Sequence, residues 1–228
     1  MPEQFRVEIA PGQTVTAIEY PAAEQDRARI TLILGHGAGA GQTSGFIVSF
    51  ARALAERGIA VVTFNFLYIE QGRRLPDSGG KLETCYRAVI EAVRNRQRSS
   101  GDRLAIGGKS MGGRIASQVA AAGVGQLAGL VMLGYPLHPP GKPGQLRAKH
   151  LSIVRSAMLF VQGSRDAFGT PDEMRCVVEQ LKSRADLYVV EGGDHSFKVL
   201  KSAGIRQPEV YRAVHDRIET WLRARIAD

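Results

Sequence analysis

The sequence predicts an α/β fold, a mostly parallel sheet with helices on both faces, and two observations carry that prediction. Short aliphatic and β-branched runs alternate with longer amphipathic stretches from RITLILGHG to the C-terminus. Such alternation indicates βαβ units, because a strand covered on both faces reads as one apolar run while each covering helix keeps its own period. The second observation is the balance of the chain: 228 residues, 44% hydrophobic and 23% charged, describe a globular protein large enough to bury a substantial core. A single domain over residues 1–228 is expected, since no stretch reads as a linker and no internal repeat occurs.

Each element follows in order. FRVEIAP and VTAIEYP alternate with period two and predict an antiparallel hairpin on the sheet edge. RITLILG is the first core strand, and FIVSFARALAERG the helix after it. IAVVTFNF and GGKLETCYRAVIEAVRNRQ repeat the pattern, as do RLAIGG with MGGRIASQVAAAG. GLVMLGYP is a strand followed by LHPPGKPGQLRAKH, Leu137 to His150, whose prolines cannot donate to a ladder and so predict a surface excursion. AMLFVQG with TPDEMRCVVEQLKSR and ADLYVVEGG with PEVYRAVHDRIETWLRAR complete the series. No remaining segment is long enough to form a cap domain.

Composition narrows the partners. The N-terminus, MPEQFRVEIAPGQ, has neither a basic start nor an apolar core, and no apolar run approaches the ~18 residues that span a bilayer. No membrane association is expected, and the cytoplasm is the expected compartment. Cys85 and Cys176 fall in separate helical patterns, which argues against a disulfide framework or a thiolate metal site. The net charge of +8 favours anionic partners at long range, but no basic stripe interleaved with aromatics is present, so nucleic acid is not an expected partner. RNRQR, Arg94 to Arg98, reads as a solvated helix end. No sequence feature specifies an oligomeric state.

GGKSMGG, residues 107–113, carries the chemistry. A phosphate-binding loop would need glycine five residues before Gly108, where Arg103 stands inside a strand. GHGAGAG, Gly35 to Gly41, likewise misses the dinucleotide spacing, with Ala40 or Gln42 where a third glycine is required. G-K-S-M-G instead lies between a strand and a helix, the context of a nucleophile elbow presenting Ser110 on a strained turn. Small residues must flank such a turn, here Gly108 and Gly112. A serine hydroxyl needs a base and a carboxylate to orient that base, in the order Ser, Asp/Glu, His, each after a later strand. Asp166 follows AMLFVQGSR, and His195 follows ADLYVVEGGD. His36 comes too early to be the base, and His215 sits in the last helical pattern as a partly exposed residue. Asp194 and Glu191 rival Asp166, but Asp194 adjoins the histidine and should point away from it; Asp172 reads as a helix N-terminal residue. The oxyanion needs two amide donors, for which the N–H groups of Met111 and Ala38 are the candidates.

With these residues in place, the chain resembles a small, capless α/β-hydrolase of the dienelactone-hydrolase-like branch. GHGAGAG, FNFLY with GRRLPD, GGKSMGGR, LGYPLHPPGKP, QGSRDAFGT and GGDHSF resemble, more narrowly, the testis-expressed and NSL-complex-subunit-like (KANL-type) hydrolase group. Leu67 stands where that group commonly has proline. The resemblance implies a three-layer α/β-hydrolase fold without a cap, supports Ser110, Asp166 and His195 as a triad, and supplies no substrate.

Lys109 is read two ways, as a cation for an anionic acyl group or as the partner of Asp77 or Glu70 in a salt bridge. Arg73 and Arg74 line the mouth or brace a loop, and His138 is a substrate-side candidate. The expectation is a serine hydrolase of a small ester or thioester working through an acyl-enzyme, with no metal or organic cofactor. The alternative is an interaction scaffold on the same fold, against which the intact Ser, Asp and His series argues.

Overall fold

The computed structural model describes residues 1–97 and 101–225. Arg98, the last residue of the basic RNRQR run, lies outside them. Eight strands form one sheet: β1 (Glu3–Ala10), β2 (Gln13–Tyr20), β3 (Ile30–Gly35), β4 (Ala60–Phe64), β5 (Arg103–Lys109), β6 (Gly129–Leu133), β7 (Met158–Gly163) and β8 (Ala185–Val190). Their spatial order is β1-β2-β4-β3-β5-β6-β7-β8. β1 and β2 form the expected hairpin, and β2 joins β4 antiparallel; every pairing from β4 to β8 is parallel.

Helices cover both faces. α1 (Gly45–Glu56) and α6 (Gln207–Ala224) bury Phe50, Leu54, Val214 and Ile218 against Leu32, Leu34 and Val131 on one side. α3 (Gly79–Arg96), α4 (Met111–Ala121) and α5 (Pro171–Leu181) bury Tyr86, Val89, Ile115 and Met174 against Ile33, Ile106 and Phe160 on the other. Alternate residues of β3 thus enter different cores, which is why ITLILG is fully buried and apolar apart from Thr31. A short helix, α2 (Leu67–Glu70), begins at Leu67. That is the first helical position, where proline fits without losing a hydrogen bond.

Two details of termini set the loops. α5 opens on a capping box: Thr170 accepts from the Glu173 amide while the Glu173 carboxylate accepts from the Thr170 amide, with Pro171 at the first turn and Asp172 beside it. The proline-rich excursion is irregular up to a 3₁₀ turn at Lys149–Ile153, and no separate cap is built from it. No helix among the described residues is long and apolar enough to cross a membrane.

The chain order places a site. β4 lies on one side of β3 and β5 on the other, so the loops leaving the carboxyl ends of β3 and β5 diverge and open a crevice. The loop from Gly35 to Gly41 and the turn at Ser110 border it.

Candidate active site

Ser110 occupies the single residue between β5 and α4. Its φ of 52° and ψ of −114° lie where a side chain is strained, and its amide is anchored to the Leu133 carbonyl at 2.9 Å. The flanking glycines are required by close approach. A Cβ on Gly108 would stand 2.5 Å from the Gly35 carbonyl oxygen, and one on Gly112 would stand 2.3 Å from the same atom. The elbow is pressed against the end of β3 with no room for a methyl group.

Three side chains converge from three strand ends. Ser110 Oγ lies 2.9 Å from His195 Nε2, and His195 Nδ1 lies 2.7 Å from Asp166 Oδ2. The carboxylate can only accept, so Nδ1 carries the proton and Nε2 presents its lone pair to the hydroxyl. Asp166 is buried, and its other oxygen accepts from the Phe168 amide at 2.9 Å. Asp194 faces elsewhere, accepting from the Ser196 and Lys198 amides, and Glu191 is exposed. Phe168 lies against the imidazole, ring centroids 4.3 Å apart.

Gln162, unrecognised in the sequence although QGSRDAFGT contains it, fixes this carboxylate. From the end of β7 its amide nitrogen donates to Asp166 Oδ2 at 2.8 Å and to the Gly169 carbonyl at 2.9 Å, while its oxygen accepts from the Tyr135 amide at 2.9 Å. The amide is fully buried, and its partners define which end is oxygen.

Across the cleft, the loop after β3 is held by His36. Its Nε2 accepts from the Phe66 amide at 3.1 Å, so Nδ1–H donates to the Gly37 carbonyl at 2.8 Å. Burial pushes the His36 imidazole down to about 4, so it is neutral at pH 7. Tying the Gly37 carbonyl inward turns the Ala38 N–H of the same trans peptide the opposite way. Met111 opens α4, and its amide therefore has no intrahelical acceptor. Ala38 and Met111 both line the same cleft of about 530 Å³, together with Ser110, His195, Phe46 and Leu82.

The remaining candidates are distributed differently. Lys109 makes no salt bridge with Asp77 or Glu70, which corrects the paired reading. Asp77 is taken by Arg73 at 2.7 Å, and Glu70 accepts from Thr16 and Asn65. The Lys109 Nζ is buried without a hydrogen-bond partner, 5.9 Å from the Phe46 ring centroid. Burial lowers it to about 8, against the opposing pull of Asp166 and Asp194. Arg73 braces its loop through Gln71 and Asp77 and is absent from the cleft lining. His138 lies outside the lining too, turned to the Pro139 carbonyl and Glu173, because the capping box places that carboxylate beside it. His215 is buried rather than partly exposed, edge-on to Phe50 at 4.4 Å.

Two charged lining residues escaped the sequence reading, Arg114 and Arg147. Arg114 stands within GGKSMGGR and MGGRIASQVAAAG with no signal of its own, and Arg147 lies in an excursion whose path has no local signal.

Comparison with known proteins agrees with this architecture. A family profile described as "Alpha/beta hydrolase domain" matches residues 28–223. Among solved structures, the chain is similar to an α/β serine hydrolase homologue from Coxiella burnetii, with 22% identity, 94% of this chain and 96% of that chain covered, and a TM-score of 0.73. It is similar to an α/β serine hydrolase without lid from Xanthomonas campestris, with 21% identity, 98% and 94% covered, and a TM-score of 0.73. A dienelactone hydrolase from Anabaena variabilis shares 19% identity over 96% of both chains, with a TM-score of 0.73.

Proposed function

The chain belongs to the Alpha/beta hydrolase domain family, and from that premise we propose that it is a serine hydrolase of small esters or thioesters. The observation that carries the reading is the continuous relay from Asp166 through His195 to Ser110, at 2.7 and 2.9 Å. Ser110 Oγ attacks the acyl carbon as His195 Nε2 removes its proton. Asp166 holds the imidazole in the required tautomer and stabilises the imidazolium that forms. The Met111 and Ala38 amides receive the tetrahedral oxyanion. Collapse expels the alcohol or thiol, which takes the proton from Nε2, and leaves the acyl group on Ser110. Water attacks the acyl-enzyme by the same route in reverse and releases the acid. Each step uses these groups alone.

The finer kinship is with the testis-expressed and NSL-complex-subunit-like group, supported by GHGAGAG, GGKSMGGR and GGDHSF. Two free cysteines, one of them exposed, suit a reducing cytoplasm. Turnover of p-nitrophenyl acetate tests the reading: His195→Ala should lower kcat/KM by roughly a thousandfold or more. Equal rates for variant and wild type would reject it.

A further inference from the structure

The cleft over Ser110 carries uncompensated positive charge. Arg114 and Arg147 both line it, each half-buried, and neither guanidinium has an ion-pair or hydrogen-bond partner among the described residues. The carboxylate on the lining, Asp77, is already paired with Arg73. Burial lowers Arg147, and the neighbouring Arg114 lowers it further, as expected for two cations facing one empty space.

Both residues are positioned, not loose. Arg114 follows Ser110 by four residues in α4, its amide donating to the Ser110 carbonyl at 3.0 Å, so it shares the serine's helix face. A helical side chain covers the turn before its own Cα, which directs Arg114 toward the nucleophile. A cation in the first turn also opposes the helix dipole, a cost that no neighbour offsets. Arg147 is pinned by both backbone groups: its amide donates to Leu137 at 2.8 Å, and its carbonyl accepts from Tyr135 Oη at 2.7 Å. The proline-rich excursion is thereby stapled so that this one residue reaches the cleft.

We propose that Arg114 and Arg147 form an anion subsite beside Ser110, and that the ester or thioester cleaved there carries a dianionic oxyanion group such as a phosphate monoester. Two unpaired guanidiniums match two negative charges, and each offers a planar fork to a pair of phosphoryl oxygens. Lys109, unpaired and more deeply buried on the same lining, adds a third positive charge, so a monoanionic carboxylate would leave two of the three cations unneutralised. The inference rests on the hydrolase reading only in placing the anion on the molecule that is cleaved.

Binding to the Ser110→Ala protein tests it without turnover. Calorimetric titration at pH 7.5 compares n-butyl phosphate, pentanoate and pentanol, which differ chiefly in charge. Butyl phosphate should bind at least tenfold tighter than pentanoate, and pentanol weakest. Arg114→Gln combined with Arg147→Gln should abolish that ranking while the melting temperature shows the fold retained, and the double lysine variant should restore part of it. Equal binding of the three ligands, pentanoate matching butyl phosphate, or undiminished phosphate binding by the glutamine variant would overturn the proposal. Failure of the hydrolase reading would look different, with no p-nitrophenyl acetate turnover by wild type but the binding ranking intact.

Discussion

Replacing Lys109 by methionine should stabilise the protein, and the size of the effect follows from its surroundings. The ammonium is buried without a hydrogen-bond partner, faces the Phe46 ring, and feels Asp166 and Asp194 only at a distance. Burial takes its proton affinity from the ordinary 10.5 down to about 8. At about 1.4 kcal/mol per tenfold change, holding the charge there costs on the order of 3 kcal/mol. Methionine is similar in length and needs no partner, so Lys109→Met should recover that cost at pH 7. For a domain of this size the gain is about 6–12 °C in melting temperature. The pH dependence is the sharper signature. Below pH 8 the lysine is protonated in both folded and unfolded chains, and its full cost is present. Between about 8 and 10.5 the unfolded chain binds the extra proton, so wild-type stability rises with pH and the advantage of methionine shrinks to nothing. Urea melts of both proteins at pH 7, 9 and 10.5 measure this. A variant no more stable than wild type at pH 7, or one whose advantage is unchanged at pH 10.5, would refute the reasoning.

Other substitutions probe the frame around the serine. Gln162→Leu removes the donor to Asp166 and leaves the Gly169 carbonyl without its 2.9 Å partner. It should cost about 1–3 kcal/mol and lower kcat by roughly ten- to a hundredfold with little change in KM; a loss confined to KM would show that Gln162 does not position the acid. Gly112→Ala drives a methyl group to 2.3 Å from the Gly35 carbonyl and should destabilise by at least about 2 kcal/mol, so an unchanged melting temperature would contradict the close packing. His36 is held neutral with a proton affinity of about 4 against 6.5 when unfolded. The unfolded chain therefore binds more protons between those values, and stability should fall as pH drops from 6.5 toward 4. Urea midpoints should show a shallower fall for His36→Asn; an identical slope would place the acid sensitivity elsewhere.

The fold was legible because its signals are periodic. ITLILG, AVVTF and MLFVQG read as strands since both sheet faces are covered, and the hairpin of β1 and β2 follows from alternation alone. Ser110, Asp166 and His195 could be picked out because each follows a strand in the chain order this topology uses, at the ends of β5, β7 and β8. What stayed hidden depends on pairings across the structure. Nothing in the sequence around Lys109 shows that Asp77 is held by Arg73, four residues before it. His138 sits near the cleft in sequence, yet the Thr170–Glu173 capping box draws it to α5. Arg147 lies in a segment whose course is set by Leu137 and Tyr135, contacts with no local pattern.

The central claim is that Ser110 is an activated nucleophile, and covalent labelling tests it most directly. Wild-type protein treated with a fluorophosphonate should gain the mass of one phosphonyl adduct, located by peptide mapping on Ser110. Ser110→Ala should gain none, and His195→Ala should label far more slowly. Equal labelling of wild type and Ser110→Ala, or an adduct mapped to another residue, would contradict the account.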